Sequence, residues 1–411
     1  MQDNPFPAAD RILADIEAVF KKDPELAEFD IVPVNENQNK SPVLHCSHSL
    51  GLESWCVRHV YCYIYQRLMD LRKNRKKEDP AVLIRLLRGA LLLNPDVASF
   101  WHMRKDLVLS SQLDPISDLH FSAIVLSYKP KCSEAFSHRR WLLSQLFKIE
   151  PYATSMASTI SARYAYSPME ALEVELKVSG LAASRYANNY HAWNHRIWTI
   201  QHICARTSTG KVLLREWRYS GDWVTCHVSD HSGMQYRQFL LQQLISLSSA
   251  IDGDYSGVEE VSSCNGKLLS LSGIIEVLKA FRESCDAVED GFYIDFKGAK
   301  GQVGERFLSF VVSELLFNTD LICRFVGHEA LWCHRRFIVT TLFKLAEKFV
   351  RNAYEVNVVD QLLKAIQKQE ELLVRHCTES IRTDIHQVRF AKRHALWLAR
   401  SLNMSLMCNS K

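Results

Sequence analysis

The sequence has no hydrophobic run long enough to cross a membrane. Its most apolar stretch, Phe307 to Phe317, is about eleven residues long and contains Glu314, whereas a membrane-spanning helix needs roughly 20 apolar residues. The segment from Met1 to Asp10 contains neither a basic region nor an apolar one, so we expect no signal peptide. These absences predict a soluble protein without a membrane span.

The sequence also lacks an excess of charge and any pattern of paired cysteines. The 50 Lys and Arg residues and the 46 Asp and Glu residues leave a net charge of +4, which is too balanced to predict nucleic-acid binding. The 12 cysteines are scattered, which favours a reduced, cytoplasmic protein over a disulfide framework. We predict no metal site, because one group of possible ligands lacks a Cys-x-x-Cys knuckle: His45, Cys46, His48, Cys56, His59 and Cys62.

No segment alternates convincingly between apolar and polar residues, as a half-buried strand would. Apolar residues instead recur at helical spacing, for example from Ala81 to Leu93 and from Leu172 to Tyr186. A capping residue followed by proline indicates a helix start at Asp23-Pro24, Asp79-Pro80, Asn94-Pro95, Asp114-Pro115 and Ser167-Pro168. The chain is therefore predicted to be all-α. It also lacks a nucleophile triad, a phosphate-binding loop and a two-carboxylate site, so any catalysis requires a second subunit.

A short pattern is present in five copies: a large apolar residue, usually aromatic, followed three residues later by arginine. The pairs are Trp101 and Arg104, Phe136 and Arg139, Trp193 and Arg196, Met234 and Arg237, and Trp332 and Arg335. Residues three apart share one helical face, and a repeat of about 35 residues is typical of helical hairpins that stack on one another. The pattern predicts an α-α superhelix, or solenoid, with these residues as buried structural anchors.

The repeats are expected to occupy residues 80–350, between an N-terminal helical cap at 1–79 and C-terminal helices with a tail at 351–411. Loops rich in glycine are predicted near 252–266 and 288–304. They account for the long interval before the fifth copy, and a degraded repeat is expected between them, near Leu268 to Arg282.

The string from Asn189 to Trp198, Asn-Tyr-His-Ala-Trp-Asn-His-Arg-Ile-Trp, resembles the signature repeat of protein prenyltransferase α subunits. The segments around Asn94 to Arg104 and Lys129 to Trp141 are similar to it. In that family the pattern is Pro, two residues, Tyr, two residues, Trp, two residues, Arg. The copies here keep the spacing, but four of them replace the Tyr, with Ala98, Ser133, His231 and Glu329. The resemblance covers roughly residues 80 to 340.

The resemblance implies a crescent of helical hairpins that wraps a prenyltransferase β subunit. In that family the β subunit binds the catalytic zinc and the isoprenoid diphosphate, so no cofactor is expected in this chain. We therefore predict the α subunit of a heterodimeric protein prenyltransferase, inactive alone, that takes part in geranylgeranyl transfer to a C-terminal Cys of protein substrates. The Rab-type β subunit is favoured, because the first two copies resemble the Rab-type α subunit.

The resemblance also implies a lysine, two residues before the motif Tyr position, that approaches the diphosphate. Lys131 has this place in the second copy, whereas Asn188 has it in the third; we favour Lys131. Polar residues where the helices begin are candidates for a rim that contacts the partner or substrate: His138, Asn188, Asn189, Tyr190, His191, Asn194 and His195. The alternative is that Asn189 caps its helix and that His138 and His195 are structural donors.

A non-catalytic helical scaffold that binds a protein partner is the alternative function. Loss of the motif Tyr in four copies is compatible with a repeat protein that kept its fold without a catalytic partner. An RNA-binding repeat ranks last, because the copies are unequal and the charge is balanced. The scaffold and the enzyme subunit differ in one requirement, since the enzyme subunit needs a large β subunit.

Overall fold

The repeat region consists of paired helices, as the sequence predicts. The computed structural model describes residues 8–34, 39–74, 78–147, 168–206, 209–249, 271–280, 303–347, 356–379 and 384–406. The chain forms two compact units, Met1–His202 and Ile203–Lys411. Helices α1 to α8 begin in the first unit: Ala9–Lys22, Ser54–Asn74, Pro80–Leu93, Ala98–Leu109, Pro115–Tyr128, Ser133–Phe147, Pro168–Arg185 and Tyr190–Cys204. Helices α9 to α15 lie in the second: Thr209–Cys226, His231–Ser249, Leu271–Lys279, Val303–Arg324, Glu329–Leu345, Val356–Glu379 and Ile385–Leu402.

The N-terminal segment, for which the sequence predicts helices alone, also contains a three-stranded sheet. Its strands are β1 (Glu28–Val32), β2 (Val43–Cys46) and β3 (Ser49–Glu53), in the order β1-β3-β2. β1 is parallel to β3 and β2 is antiparallel to it. The strands are too short to give a clear alternation, and the β2–β3 turn uses Ser47 and His48 at positive φ instead of the Asn-Gly or Gly pairs that signal a hairpin.

Three of the possible metal ligands of this segment have protein partners that account for them. His45 and His48 both contact the Asp23 carboxylate, at 2.8 and 2.9 Å. The buried Cys56 thiol donates to the Glu53 carbonyl at 3.2 Å. These contacts tie the β2–β3 turn to the end of α1 and give the residues a structural role.

Of the five predicted helix starts, two are right and two are wrong; in the fifth, Ser167 lies outside the described residues and α7 begins at Pro168. Asp79 and Asp114 cap α3 and α5, with Pro80 and Pro115 in the first turn. Asp23 and Asn94 instead end helices, because their N–H groups donate to the carbonyl four residues earlier. Proline disfavours the helical conformation of the residue before it, so the same dipeptide can end one helix as readily as it begins another.

We expect Asp114→Ala to lower the free energy of unfolding by about 1 kcal/mol. The change removes the carboxylate that accepts a hydrogen bond from the Ser117 N–H at 2.7 Å. Asp114→Asn keeps an acceptor at this position and should be close to wild type. Urea denaturation followed by circular dichroism compares the two variants, and equal losses would contradict the capping role.

All nine predicted anchors are buried: Trp101, Arg104, Phe136, Arg139, Trp193, Arg196, Arg237, Trp332 and Arg335. The expected degraded repeat contains one described helix, α11, which buries Leu271, Ile274 and Leu278 and packs against α12 and α14. The loops predicted near 252–266 and 288–304 lie outside the described residues, apart from Val303 and Gly304, which begin α12.

Candidate functional site

A buried unit of one acid and one histidine recurs in the repeats. The acid lies on the first helix of a hairpin and accepts a hydrogen bond from the Nε2 of a histidine on the second. The distances are 2.7 to 2.8 Å, and no side chain in these pairs is more than 2% exposed. The pairs are Asp118 with His138, Glu175 with His195, Glu314 with His334 and Glu370 with His394.

The anchor arginines join one hairpin to the next through the same acids. Each guanidinium donates to the acid of the following hairpin, with contacts between 2.5 and 3.0 Å. The pairs are Arg104 with Asp118, Arg139 with Glu175, Arg237 with Glu314 and Arg335 with Glu370. We call this chain of acids, histidines and arginines the buried ladder. The ladder explains why arginine recurs at one position of the repeat. A guanidinium has several donors in a fixed geometry, so it can bind the acid of the next hairpin and a carbonyl of its own.

The same arginines also hold their own hairpin together. Arg196 donates to the Leu176 carbonyl and to the Ser179 hydroxyl. Arg335 donates in the same way to the Leu315 carbonyl and to Thr319. Each arginine therefore gives a buried backbone carbonyl, on the first helix of its hairpin, a hydrogen-bond donor from the second helix.

The aromatic anchors pack against the histidines of the ladder. His138 lies between Trp101 of the preceding hairpin and Trp141 of its own, at ring-centroid distances of 4.8 and 5.8 Å. His195 has Phe136 and Trp198 at 5.0 and 5.8 Å, and His394 has Trp332 and Trp397 at 5.4 and 5.7 Å. The anchor of one hairpin is thus buried by the next, as the repeat logic requires.

Burial and charge together fix the protonation states of the ladder. Burial raises the pKa of Asp118, Glu175 and Glu370, but the neighbouring arginines and histidines outweigh it and lower these pKa values to about 2. Burial lowers the pKa of His138, His195 and His394 below the usual value. The acids of these three pairs are therefore ionised, and His138, His195 and His394 are neutral and donate through Nε2.

The structure removes three residues from the predicted rim. His138, His195 and Asn189 are 0% exposed, so they cannot contact a partner at the surface. Asn189 accepts a hydrogen bond from the Ala192 N–H at 3.2 Å and donates to the carbonyls of Pro130, in the α5–α6 turn, and of Ala182, in α7. The structural alternative for these residues, which the sequence left open, is the correct one.

The remaining rim residues lie in the α5–α6 turn, in the α7–α8 turn and on the first two turns of α8. Lys131 is exposed in the α5–α6 turn, with its Nζ 4.4 Å from the ring centroid of Tyr186 at the end of α7. Asn189 Nδ2 donates to the Pro130 carbonyl at 2.7 Å and so fixes the two turns to each other. We call the exposed or half-buried residues of these turns the Lys131 rim: Lys131, Tyr186, Asn188, Tyr190, His191 and Asn194.

The motif Tyr position is the first residue of the second helix in each of the five copies. Tyr190 is the first residue of α8 and is 52% exposed. The residues that replace it are also the first of their helices: Ala98 of α4, Ser133 of α6, His231 of α10 and Glu329 of α13. Substitution there leaves the buried ladder intact, so the loss of Tyr changes the surface of the repeats and not their packing.

Among the described residues, one group of potential metal ligands lies at the α3–α4 turn and the start of α6. Asp96, Cys132 and Glu134 place one ligand atom each within 4.8 Å of one another. Burial raises the pKa of Cys132 to about 12, and its thiol donates to the Pro95 carbonyl. A protonated, hydrogen-bonded thiol is a poor metal ligand, so the structure offers no support for a metal at this place.

Sequence reasoning missed the acids of the ladder and its last step on α15. A signal was available in the sequence. Glu175 lies 20 residues before His195, the histidine of a His-Arg pair. It is followed by the apolar Leu176 and, three residues after that, by Ser179. In α9 and α10 the same signal precedes Tyr236, whose hydroxyl donates to Glu216 at 2.6 Å in place of the histidine.

The fold and the ladder together define an α-helical repeat protein built from acid, histidine and arginine units. The repeat family described as "Protein prenyltransferase alpha subunit repeat" matches residues 117–146, 172–203 and 311–342. No described helix is both long and apolar enough to span a membrane.

Relatives cover most of the chain. Protein prenyltransferase alpha subunit repeat-containing protein 1 of Homo sapiens is 34% identical over 94% of this chain and 96% of its own length. The protein of the same name from Danio rerio is 34% identical over 80% of this chain and 71% of its own length. Geranylgeranyl transferase type-2 subunit alpha of Candida albicans is 22% identical over 53% of this chain and 60% of its own length. The chain belongs to the protein prenyltransferase alpha-subunit repeat family.

Proposed function

We propose that this chain is the α subunit of a heterodimeric protein prenyltransferase that transfers a geranylgeranyl group to a C-terminal Cys of protein substrates in the cytoplasm. The proposal rests on the family, on the names of the geranylgeranyl transferase relatives, and on one feature of the surface. That feature is Lys131, an exposed cation in a turn that the Asn189 side chain fixes to its neighbour.

In this proposal the β subunit would hold zinc and geranylgeranyl diphosphate, and the zinc would lower the pKa of the substrate thiol, which would release its proton to solvent and react as the thiolate. A sulfur–carbon bond forms, the carbon–oxygen bond to diphosphate breaks, and diphosphate departs with its electron pair. Negative charge grows on the departing group, and the Lys131 ammonium stabilises it in the transition state more than in the ground state.

The Rab-type β subunit is the favoured partner. Three of the matched relatives are named geranylgeranyl transferase type-2 subunit alpha, and the Lys131 rim is the surface that we assign to the β subunit and its bound substrate. Tyr190 and His191, whose rings are 5.4 Å apart in an edge-on arrangement, supply an aromatic surface of the kind enriched at protein interfaces.

Co-expression with each of the three kinds of prenyltransferase β subunit tests the proposal. We expect a stable complex of one chain with one β subunit, which transfers a labelled geranylgeranyl group to a protein with a C-terminal Cys. A complex with the Rab-type subunit alone would identify the partner. Failure to form a complex with any of the three would reject the enzyme and favour the scaffold.

We expect Lys131→Ala to lower kcat and kcat/KM of the complex together by about 10–100-fold, because the ammonium acts on charge formed in the transition state. Complex formation, measured by co-purification, should be unchanged. Lys129→Ala is the matched control, since Lys129 is an exposed lysine of the same turn, held over its own neighbour Tyr128. Normal turnover of the Lys131 variant would show that Asn188, or another residue, has the diphosphate position.

A non-catalytic scaffold is the second candidate function, because the first residue of the second helix varies among the repeats. Four of the five motif positions have replaced the exposed Tyr with Ala, Ser, His or Glu at the first residue of the second helix. Such variation on an otherwise regular fold is suited to a partner other than a β subunit.

A further inference from the structure

A pocket of about 260 Å³ lies in the second unit, between α13 and α15. Arg336, Arg393, Leu396, Trp397, Arg400 and Ser401 line it. None of these six residues, all in the described part of the chain, is acidic. We call it the arginine pocket. It shares no residue with the Lys131 rim and has no part in the proposed transfer reaction.

The sequence of α15 creates one basic face. Arg393, Trp397 and Arg400 follow one another at intervals of four and three residues, so they share a face of the helix. The helix Ile385–Leu402 also contains Arg389 and Lys392, and it has no Asp or Glu. The charge of this face is therefore not neutralised within its own helix.

The guanidinium groups of the pocket are poorly matched by protein acids. Arg393 pairs with Glu329 at 2.9 Å, but both side chains are nearly half exposed, where such a pair contributes little. Arg336 and Arg400 have no ion-pair partner among the described residues. The Nε of Arg336 is buried and has no hydrogen-bond partner there.

The contrast with the adjacent residue is direct. Arg335 is 0% exposed and is paired with Glu370 at 2.6 Å, whereas Arg336 faces a pocket that contains two further arginines. A buried donor without an acceptor costs free energy, and like charges that share a pocket repel one another. A bound anion removes both costs.

We propose that the arginine pocket binds the phosphate group of a small ligand, either free phosphate or an organic phosphate ester. Guanidinium groups donate to phosphate oxygens in pairs, so Arg336 and Arg400 hold the dianion. Trp397, whose ring centroid is 5.9 Å from the Arg336 guanidinium carbon, and Leu396 form an apolar wall for the organic part of an ester. The small volume and the modest net charge of +4 favour a small ligand over a nucleic acid.

Isothermal titration of the full chain with inorganic phosphate and with phenyl phosphate at pH 8 tests the proposal, because both probes are dianions at that pH. We expect saturable binding that weakens by about tenfold or more in Arg336→Gln and in Arg400→Gln, since each change removes charge-assisted hydrogen bonds. Tighter binding of phenyl phosphate would identify an ester as the ligand class, and equal affinities would identify free phosphate.

Lys392→Gln is the matched control, because Lys392 is an exposed cation of α15 that does not line the pocket. Its affinity should stay within about twofold of wild type, apart from the general charge effect that salt screens. Circular dichroism verifies that each variant is folded. Absence of saturable binding would overturn the proposal, as would equal affinities in wild type and in a folded double variant, Arg336→Gln with Arg400→Gln.

Discussion

Arg139→Ala is expected to destabilise the protein by about 3–5 kcal/mol. The Arg139 side chain is 1% exposed and donates to both oxygens of Glu175, at 2.8 and 2.6 Å. Removal of the guanidinium leaves the Glu175 charge buried with His195 as its remaining ladder partner. The Leu119 carbonyl and the Ser122 hydroxyl lose a donor as well. Urea denaturation followed by circular dichroism measures the loss.

Arg67→Ala is the control for this prediction. Arg67 lies in the same unit and pairs with Glu78 at 3.0 Å, but its side chain is 42% exposed. Solvent screening limits such a pair to about 1 kcal/mol or less. If Arg139→Ala cost no more than Arg67→Ala, the buried ladder would not contribute to stability in the way that its geometry indicates.

Acidification is expected to unfold the protein by protonation of the ladder groups. It does so in two steps, and each step lowers the free energy of unfolding. The folded-state pKa values of His138, His195 and His394 are lowered by burial. The unfolded state therefore binds protons first as the pH falls through about 6.5. Asp118, Glu175 and Glu370 have folded pKa values of about 2, so their contribution is present above about pH 4.5 and is lost as the pH falls towards 2.

The expected size is large. A shift of about two pKa units per acid corresponds to roughly 3 kcal/mol, and three such acids approach the whole stability of a typical domain. Urea denaturation between pH 8 and pH 2 measures how the free energy of unfolding changes with pH across both steps. His195→Gln removes one group with a lowered folded-state pKa and should reduce the slope between pH 7 and 5. A flat profile down to pH 4 would contradict the protonation states assigned to the ladder.

The predicted effects of Arg139→Ala and of acidification are relevant to function, because the buried ladder supports the turns that carry the Lys131 rim. Asn189 joins the α5–α6 and α7–α8 turns, and the helices behind those turns are held by Asp118, His138, Arg139, Glu175 and His195. A rigid supporting layer keeps a surface cation in one place, which electrostatic stabilisation of a transition state requires. For the proposed enzyme, loss of the ladder should therefore lower turnover through folding, whereas the Lys131→Ala change should lower turnover alone.

Much of the repeat architecture could be predicted from short-range pattern. The three-residue step from Trp193 to Arg196 fixes two side chains on one helical face, and the return of this step along the chain indicates stacked hairpins. The resemblance of the Asn189 to Trp198 string supplied the family, which the comparisons confirm. Prediction failed where a capping residue before proline can either begin or end a helix. The sequence predicts a helix start at Asn94-Pro95, but this dipeptide ends α3.

The sequence by itself determined the helical repeat, the buried anchors and the family, because helical periodicity and repeat spacing are properties of neighbouring residues. Only the tertiary structure decided what each polar residue contacts. Arg139 meets an acid 36 residues away and Arg237 one 77 residues away, so the partners depend on how whole helices stack. The same packing buries His138, His195 and Asn189, leaves Lys131 exposed, and gathers three arginines of two helices around one pocket.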